Sequence, residues 1–178
     1  IGTLSLAIFY FYDSLVRLAV YPKASQSQQP KLLKQVKANQ RKMKLWAKNA
    51  PMNYLHKFYL VEAETYRILK RGYQAEEYYD RAIELARNNE YIQEEALSQE
   101  LAAKFYLQGD RERIASVYLK DAYDNYARWG ALAKVRDLSK RYPQVLFSVV
   151  RSKLQQPCTT ENFIPWQTLN SSTSSTDI

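Results

Sequence analysis

The sequence predicts an all-α fold in which antiparallel helix pairs stack as a solenoid or right-handed superhelical array, with a disordered C-terminal linker. Three observations carry this expectation. Only four glycines and six prolines punctuate the 178 residues, and most fall a helix length apart. No stretch alternates apolar and polar residues long enough, between turn signals, to argue a strand. Residues 54–88 can be laid over residues 94–128 at an offset of 40, an internal repeat the size of a helix pair. With 46% apolar and 13% aromatic residues, the chain has the material for one domain core.

The punctuation predicts helices at about 4–21, 30–49, 52–71, 74–88, 91–108, 111–129 and 131–142. Pro22, Pro30, Pro51 and Pro143 mark boundaries, because a helix interior rejects proline. Gly72, Gly109 and Gly130 are expected to end helices in the left-handed conformation, which costs glycine nothing. Asp110 is expected to cap the helix that follows Gly109. The opening run GTLSLAIFYFYDSLVRLAVYP resembles a membrane span at first sight, but Asp13 and Arg17 interrupt it. A spanning helix needs roughly 20 predominantly apolar residues with few or no charges. It reads as a mostly buried helix whose Asp13 and Arg17 pair at i,i+4, not as an anchor. After Pro143, QVLFSVVRSKL suits a short helix or an extended piece. From Gln155 the text turns Ser/Thr-rich, as linkers are, with Phe163, Ile164 and Trp166 as one apolar knot within it.

This gives three segments: a helix pair over 1–50, helical repeats over 51–145, and a C-terminal segment and linker over 146–178. Both ends, Ile1 and STSSTDI, read as cut from something longer. The single cysteine, Cys158, has no internal disulfide partner, which fits a reducing, cytoplasmic setting.

In the repeat, Ala63 matches Ala103, Tyr66 matches Tyr106, Ala75 matches Ala115, Tyr79 matches Leu119 and Ala82 matches Ala122. Alanines at 63 and 75 would let two antiparallel helices approach closely. Tyr66 and Tyr79 would fill the space beside them, and Ala82 would leave room for the next pair. RGYQAEEYYDRAIELA resembles the tetratricopeptide repeat, with Ala75, Tyr79 and Ala82 in its A-x3-F-x2-A positions. It departs from that family in its period of 40 against about 34. It also has Tyr59 and Ala63 at the usual Trp and Gly positions, and Arg87 at the closing proline. A nonrepetitive antiparallel bundle is the competing arrangement.

Longer strings resemble something more specific. FYDSLVRLAVYP, MKLWAKNAPMNYLHKFYLVEAE, YYDRAIELARNNEYIQEEAL, ELAAKFYL and LKDAYDNYARWGALAKVRDLSKRYP together resemble one region of the large cyanobacterial-type multidomain signalling kinases. Those proteins join a serine/threonine kinase domain, an ATP-binding region of the AAA type, a helical region, a GAF sensor and a histidine kinase. The resemblance covers about residues 8–145. It implies a helical region without a catalytic motif of its own, with ATP held only by other domains of the parent, and a tail like the linker before the sensor.

The residues themselves offer little chemistry. His56, the one histidine, sits in Y-L-H-K-F-Y-L, whereas a histidine-kinase phosphoacceptor is expected in a box such as S-H-E-L-R-T-P. One His and one Cys, 102 positions apart, lack zinc-ligand spacing. Glycines at 2, 72, 109 and 130 supply neither a Walker A loop nor a kinase Gly-rich loop. There is no G-x-S-x-G elbow. The adjacent acids Glu76–Glu77 and Glu94–Glu95 point about 100° apart on a helix, so neither pair can share a proton. They read as solvated charges near helix N-termini. No catalytic residue, cofactor, metal or small-molecule substrate is expected.

Charge is the remaining signal. Between Asp13 and Glu62 there is no acid but ten Lys or Arg, while fourteen of the eighteen acids lie from Glu62 to Asp124. At 100° per residue, Lys34, Lys37, Arg41, Lys44 and Lys48 fall in an arc of about 80°. Leu32, Leu33, Val36, Met43, Trp46 and Ala47 take the other side. Such a stripe suits a solvated face or docking to an acidic surface, or else phosphates of a nucleic acid or anionic lipid. Base stacking wants aromatics among the charges, and Trp46 lies on the apolar side, so nucleic acid is the weaker expectation. The expected function is a non-catalytic scaffold that couples neighbouring domains of a signalling kinase or receives a protein partner. The alternative is an independent nucleic-acid or anionic-surface binder acting through helix 31–48.

Overall fold

The computed structural model describes residues 3–146, with side chains from residue 6. The described part is helical throughout, without a strand. Seven helices follow one another: α1 (Thr3–Val20), α2 (Gln29–Asn49), α3 (Pro51–Ile68), α4 (Gly72–Asn88), α5 (Ile92–Gln108), α6 (Glu112–Trp129) and α7 (Leu132–Arg141). A 3-10 turn, Tyr21–Lys23, follows α1, and another helical turn starts at Pro143. The described residues belong to one compact unit. The expected linker, its apolar knot, Cys158 and most of the 146–178 segment lie outside the described residues.

Each helix packs on the next in sequence, and in addition α1 packs on α3 and α3 on α5. Pro30 and Pro51 sit in the first turns of α2 and α3, where their missing N–H is not needed. The core runs through Phe11, Leu18, Met43, Leu60, Tyr79 and Tyr106, among others. The helices of residues 1–50 and those of 51–145 share it.

The repeat positions are found as follows. Ala63, Ala75, Ala82, Ala103, Ala115, Ala122, Tyr79 and Leu119 are completely buried, Tyr106 nearly so and Tyr66 half so. The 40-residue offset extends to contacts. Tyr66 stacks on Tyr78 with ring centroids 5.3 Å apart, and Tyr106 stacks on Tyr118 at the same 5.3 Å.

The turns correct the glycine expectation. Left-handed residues occur at Lys70 (φ 58), Glu90 (φ 62), Asp110 (φ 57) and Gly130 (φ 83). They are spaced by twenty, and only one is glycine. Behind each, the next N–H reaches back five residues: Arg71 to Tyr66 O, Tyr91 to Ala86 O, Arg111 to Tyr106 O and Ala131 to Tyr126 O, at 2.8–3.0 Å. This is the 6→1 bond of a Schellman closure. Gly72 instead opens α4, and Gly109 precedes the left-handed residue with φ −101. Asp110 is therefore no cap; Arg111 holds the cap position of α6 without a side-chain bond.

α1 also differs from expectation. It buries Ala7, Phe11, Ser14 and Leu18, but Phe9 and Val16 are each 60% exposed, and Leu6, Tyr12 and Val20 are exposed too. The Asp13–Arg17 pair does form, at 2.7 Å, and Asp13 also accepts from Asn39 Nδ2 at 2.7 Å. Among the described residues no helix is long and apolar enough to cross a membrane.

Candidate functional site

The basic stripe of α2 lies at the surface. Lys34, Lys37, Arg41, Lys44 and Lys48 are all exposed, and none has an acidic partner among the described residues. Val36, Met43 and Ala47 are buried on the opposite side, and Leu32, Leu33 and Trp46 are half-buried. Trp46 is held between Tyr10, 5.8 Å away and stacked, and Tyr54 at 6.2 Å. It is thus a structural aromatic rather than one interleaved with the cations.

Where α2 meets α3 the packing is incomplete. A cavity of about 450 Å³ is lined by Val36, Lys37, Gln40, Glu62, Tyr66 and Leu69, among others. A second, of about 420 Å³, lies toward the α2–α3 turn against Lys44, Lys48, Leu55, Phe58 and Tyr59. Gln40 stands on the stretch of α2 between them. Its Nε2 donates to Phe58 O at 3.0 Å and to Glu62 Oε1 at 2.7 Å. Its buried Oε1 has no hydrogen-bond partner. A cavity is a property of two helices together, so nothing in the pattern of α2 alone announced it.

His56 is 2% exposed, well inside the packing. Its Nε2 lies 2.8 Å from Lys57 Nζ, and its ring lies on Tyr91 with centroids 4.5 Å apart. Burial, and then the Lys57 charge, lower its pKa to about 3, so the ring is neutral at pH 7. It accepts at Nε2 from the ammonium, and its Nδ1 has no partner. Lys57 is itself buried; it pairs with Glu94 Oε1 at 3.1 Å and lies 4.2 Å from the centroid of Tyr91. Burial lowers the Lys57 pKa, while Glu94 opposes that shift.

The adjacent acids are not simply solvated. Glu94 and Glu95 are 6% and 7% exposed, Glu95 accepting from Arg87 Nε at 2.9 Å and from Gln99 at 3.2 Å. Glu76 and Glu77 are half-buried, paired with Arg111 and Arg81. The N-terminus of α5 turns Glu94 and Glu95 toward neighbouring helices, which spacing along one helix does not reveal. A further buried carboxylate, Glu100, accepts from Lys104 at 2.7 Å and from Tyr126 at 2.9 Å, and also pairs with Lys134. Burial alone would raise its pKa, but the two lysines prevail and hold it at about 2. The ion pairs tie α5 to α3, α4 and α7, and the Tyr126 hydrogen bond ties it to α6; they are fastenings between helices.

No protein-family model and no solved structure matches the chain. Over 62 residues, 35% of its length, the chain is 37% identical to hybrid signal transduction histidine kinase G of Dictyostelium discoideum. That stretch spans only 2% of the relative. The chain is therefore similar to a segment of a signal-transduction histidine kinase.

Proposed function

We propose that the chain is a non-catalytic, tetratricopeptide-like scaffold within a large cytoplasmic signal-transduction kinase. In this reading its stacked helix pairs couple an upstream ATP-binding region to downstream sensor and histidine kinase domains, or receive a protein partner. The observation that carries it is the 37% identity with a signal-transduction histidine kinase. The 40-residue recurrence of buried alanines and stacked tyrosines supports the solenoid part. The burial of His56 against an ammonium supports a packing role for that residue. ATP and any serine/threonine or histidine kinase chemistry belong, in this reading, to other domains of the parent.

The test is deletion of residues 52–142 from the parent protein, followed by measurement of stimulus-dependent autophosphorylation. Loss of stimulus dependence with a folded, ATP-binding parent is the expected outcome. Unchanged signalling defeats the coupling role.

The five exposed cations favour one second reading, an independent binder of nucleic acid or an anionic surface. Such binding falls steeply with salt. Replacing Lys34, Lys37, Arg41, Lys44 and Lys48 with Gln would abolish it, so oligonucleotide binding that survives those changes ends that reading.

A further inference from the structure

The first helix pair and the second can be compared position by position at the offset of 40, and they differ where α2 meets α3. In the second unit α4 is fastened to α6 across α5. Glu76 of α4 accepts from Arg111, just before α6, and Asp80 of α4 accepts from the Tyr118 hydroxyl at 2.6 Å. The Arg111 guanidinium lies 4.5 Å from the centroid of Tyr106 and fills the space above that ring.

Forty residues earlier, Val36 stands for Glu76 and Gln40 for Asp80, while Arg71 and Tyr78 stand for Arg111 and Tyr118. Neither cross-link forms. Arg71 is exposed and has no acidic partner among the described residues. Gln40 turns its amide to Phe58 O and Glu62 instead. Where the second unit has its ion pair, the first has the 450 Å³ cavity, with Val36, Gln40 and Tyr66 in its lining. Gln40, whose buried Oε1 has no hydrogen-bond partner, is thus one of the residues around this cavity.

We infer that the α2–α3 groove is a docking site for an acidic amphipathic helix of a protein partner. Two features set that chemistry. The floor of each cavity is apolar and aromatic: Val36, Tyr66 and Leu69 in one, Leu55, Phe58 and Tyr59 in the other. The charge at the edge is mainly cationic: Lys37 lines the first cavity, Lys44 and Lys48 line the second, and the one carboxylate in either lining, Glu62, already accepts from Gln40. From Val36 to Ala47 is eleven residues of α2, a rise of about 16 Å. That is the separation of apolar anchors at i and i+11 on a partner helix, whose flanking carboxylates would meet the lysines. A naked polyanion would satisfy the rim but leave both cavities empty.

This inference rests on the recognition part of the reading above and is tested apart from it. The probe is a fluorescein-labelled 16-residue helical peptide with Leu at i, i+4, i+7 and i+11 and Glu on the flanks. Its anisotropy is titrated with the full 178-residue chain. A control peptide keeps every Glu and carries Ser for Leu. The Leu peptide is expected to bind at least tenfold more tightly than the Ser peptide. The exposed-site triple variant K37E/K44E/K48E, checked by far-UV circular dichroism, is expected to lose at least tenfold. A peptide with Lys for Glu should regain binding to that variant.

Equal binding of the Leu and Ser peptides overturns the inference. So does single-stranded oligonucleotide or anionic-vesicle binding that the Leu peptide cannot displace, or self-association of the chain through this face that the peptide does not inhibit. Binding unaltered by charge reversal does the same. A parent kinase indifferent to deletion of 52–142 would end the coupling role and leave this groove standing. A silent groove would leave coupling through other surfaces intact.

Discussion

Lys57 Nζ lies 3.1 Å from Glu94 Oε1, and both side chains are more than nine-tenths buried. The pair links the second turn of α3 to the first turn of α5, so it joins one helix pair to the next. Removing one partner leaves the other charge buried alone, which costs about 3–5 kcal/mol. Lys57→Met is therefore expected to destabilise strongly. The double variant Lys57→Met/Glu94→Gln should recover most of that loss. Urea unfolding of the two single variants and the double gives the coupling energy. Additive losses would show that the pair does not join the units.

His56 predicts a pH dependence with a definite sign. In the unfolded chain its imidazole takes up a proton near pH 6.5, in the folded chain only near 3. Between those values the unfolded state binds more protons, so stability rises with pH by about 1.4 kcal/mol per unit. His56→Met should flatten the stability profile between pH 5 and 6.5. A profile unchanged by that substitution would show that the ring titrates normally in the folded chain.

Glu100 acts in a lower window. Its pKa of about 2 lies below the ordinary 4.5, so its contribution is complete above pH 4.5 and disappears as pH falls toward 2. The full contribution is about 3 kcal/mol. Glu100→Gln should lower stability at pH 7 and leave a shallower acid limb below pH 4. Because α7 is held to α5 through this carboxylate, hydrogen exchange in Leu132–Arg141 should quicken in the same variant.

The left-handed turns make a third kind of prediction. A non-glycine residue in that conformation costs about 1 kcal/mol. Lys70→Gly, Glu90→Gly and Asp110→Gly are each expected to raise stability by about 0.5–1 kcal/mol, additively. Gly130→Ala should lower it by a similar amount. At Gly109 an added Cβ meets only backbone oxygens at ordinary contact, the nearest at 3.7 Å, so Gly109→Ala should be tolerated. Thermal melts of the five variants check all of these directions.

Much of the fold was legible because its signals are local. Pro30 and Pro51 open helices wherever they stand, and the alanines at 63, 75, 82, 103, 115 and 122 repeat because close-packed helices recur. The basic face was legible too, since five cations on one arc of α2 have nowhere to go but outward. The turns were not legible from glycine. Their left-handed residue is set by where each helix runs out, and Lys70, Glu90 and Asp110 occupy it regardless of type. The burial of Glu94, Glu95 and Lys57 was hidden because their partners sit on other helices. The exposed Phe9 and Val16 contradict a hydropathy reading of α1 for the converse reason: an apolar residue is buried only where a neighbouring helix covers it.

The spacing of the left-handed residues, at 70, 90, 110 and 130, gives the chain a ruler. Residues 71–110 begin and end in the same phase of that ruler. A second copy spliced between Asp110 and Arg111 would rejoin the chain with every closing bond and every stacked tyrosine pair in step. An insert of 34 residues, the tetratricopeptide period, would bring the following helix in out of phase. Lengthening or shortening this protein is thus a question of whole multiples, and its reach is quantised in units of forty residues.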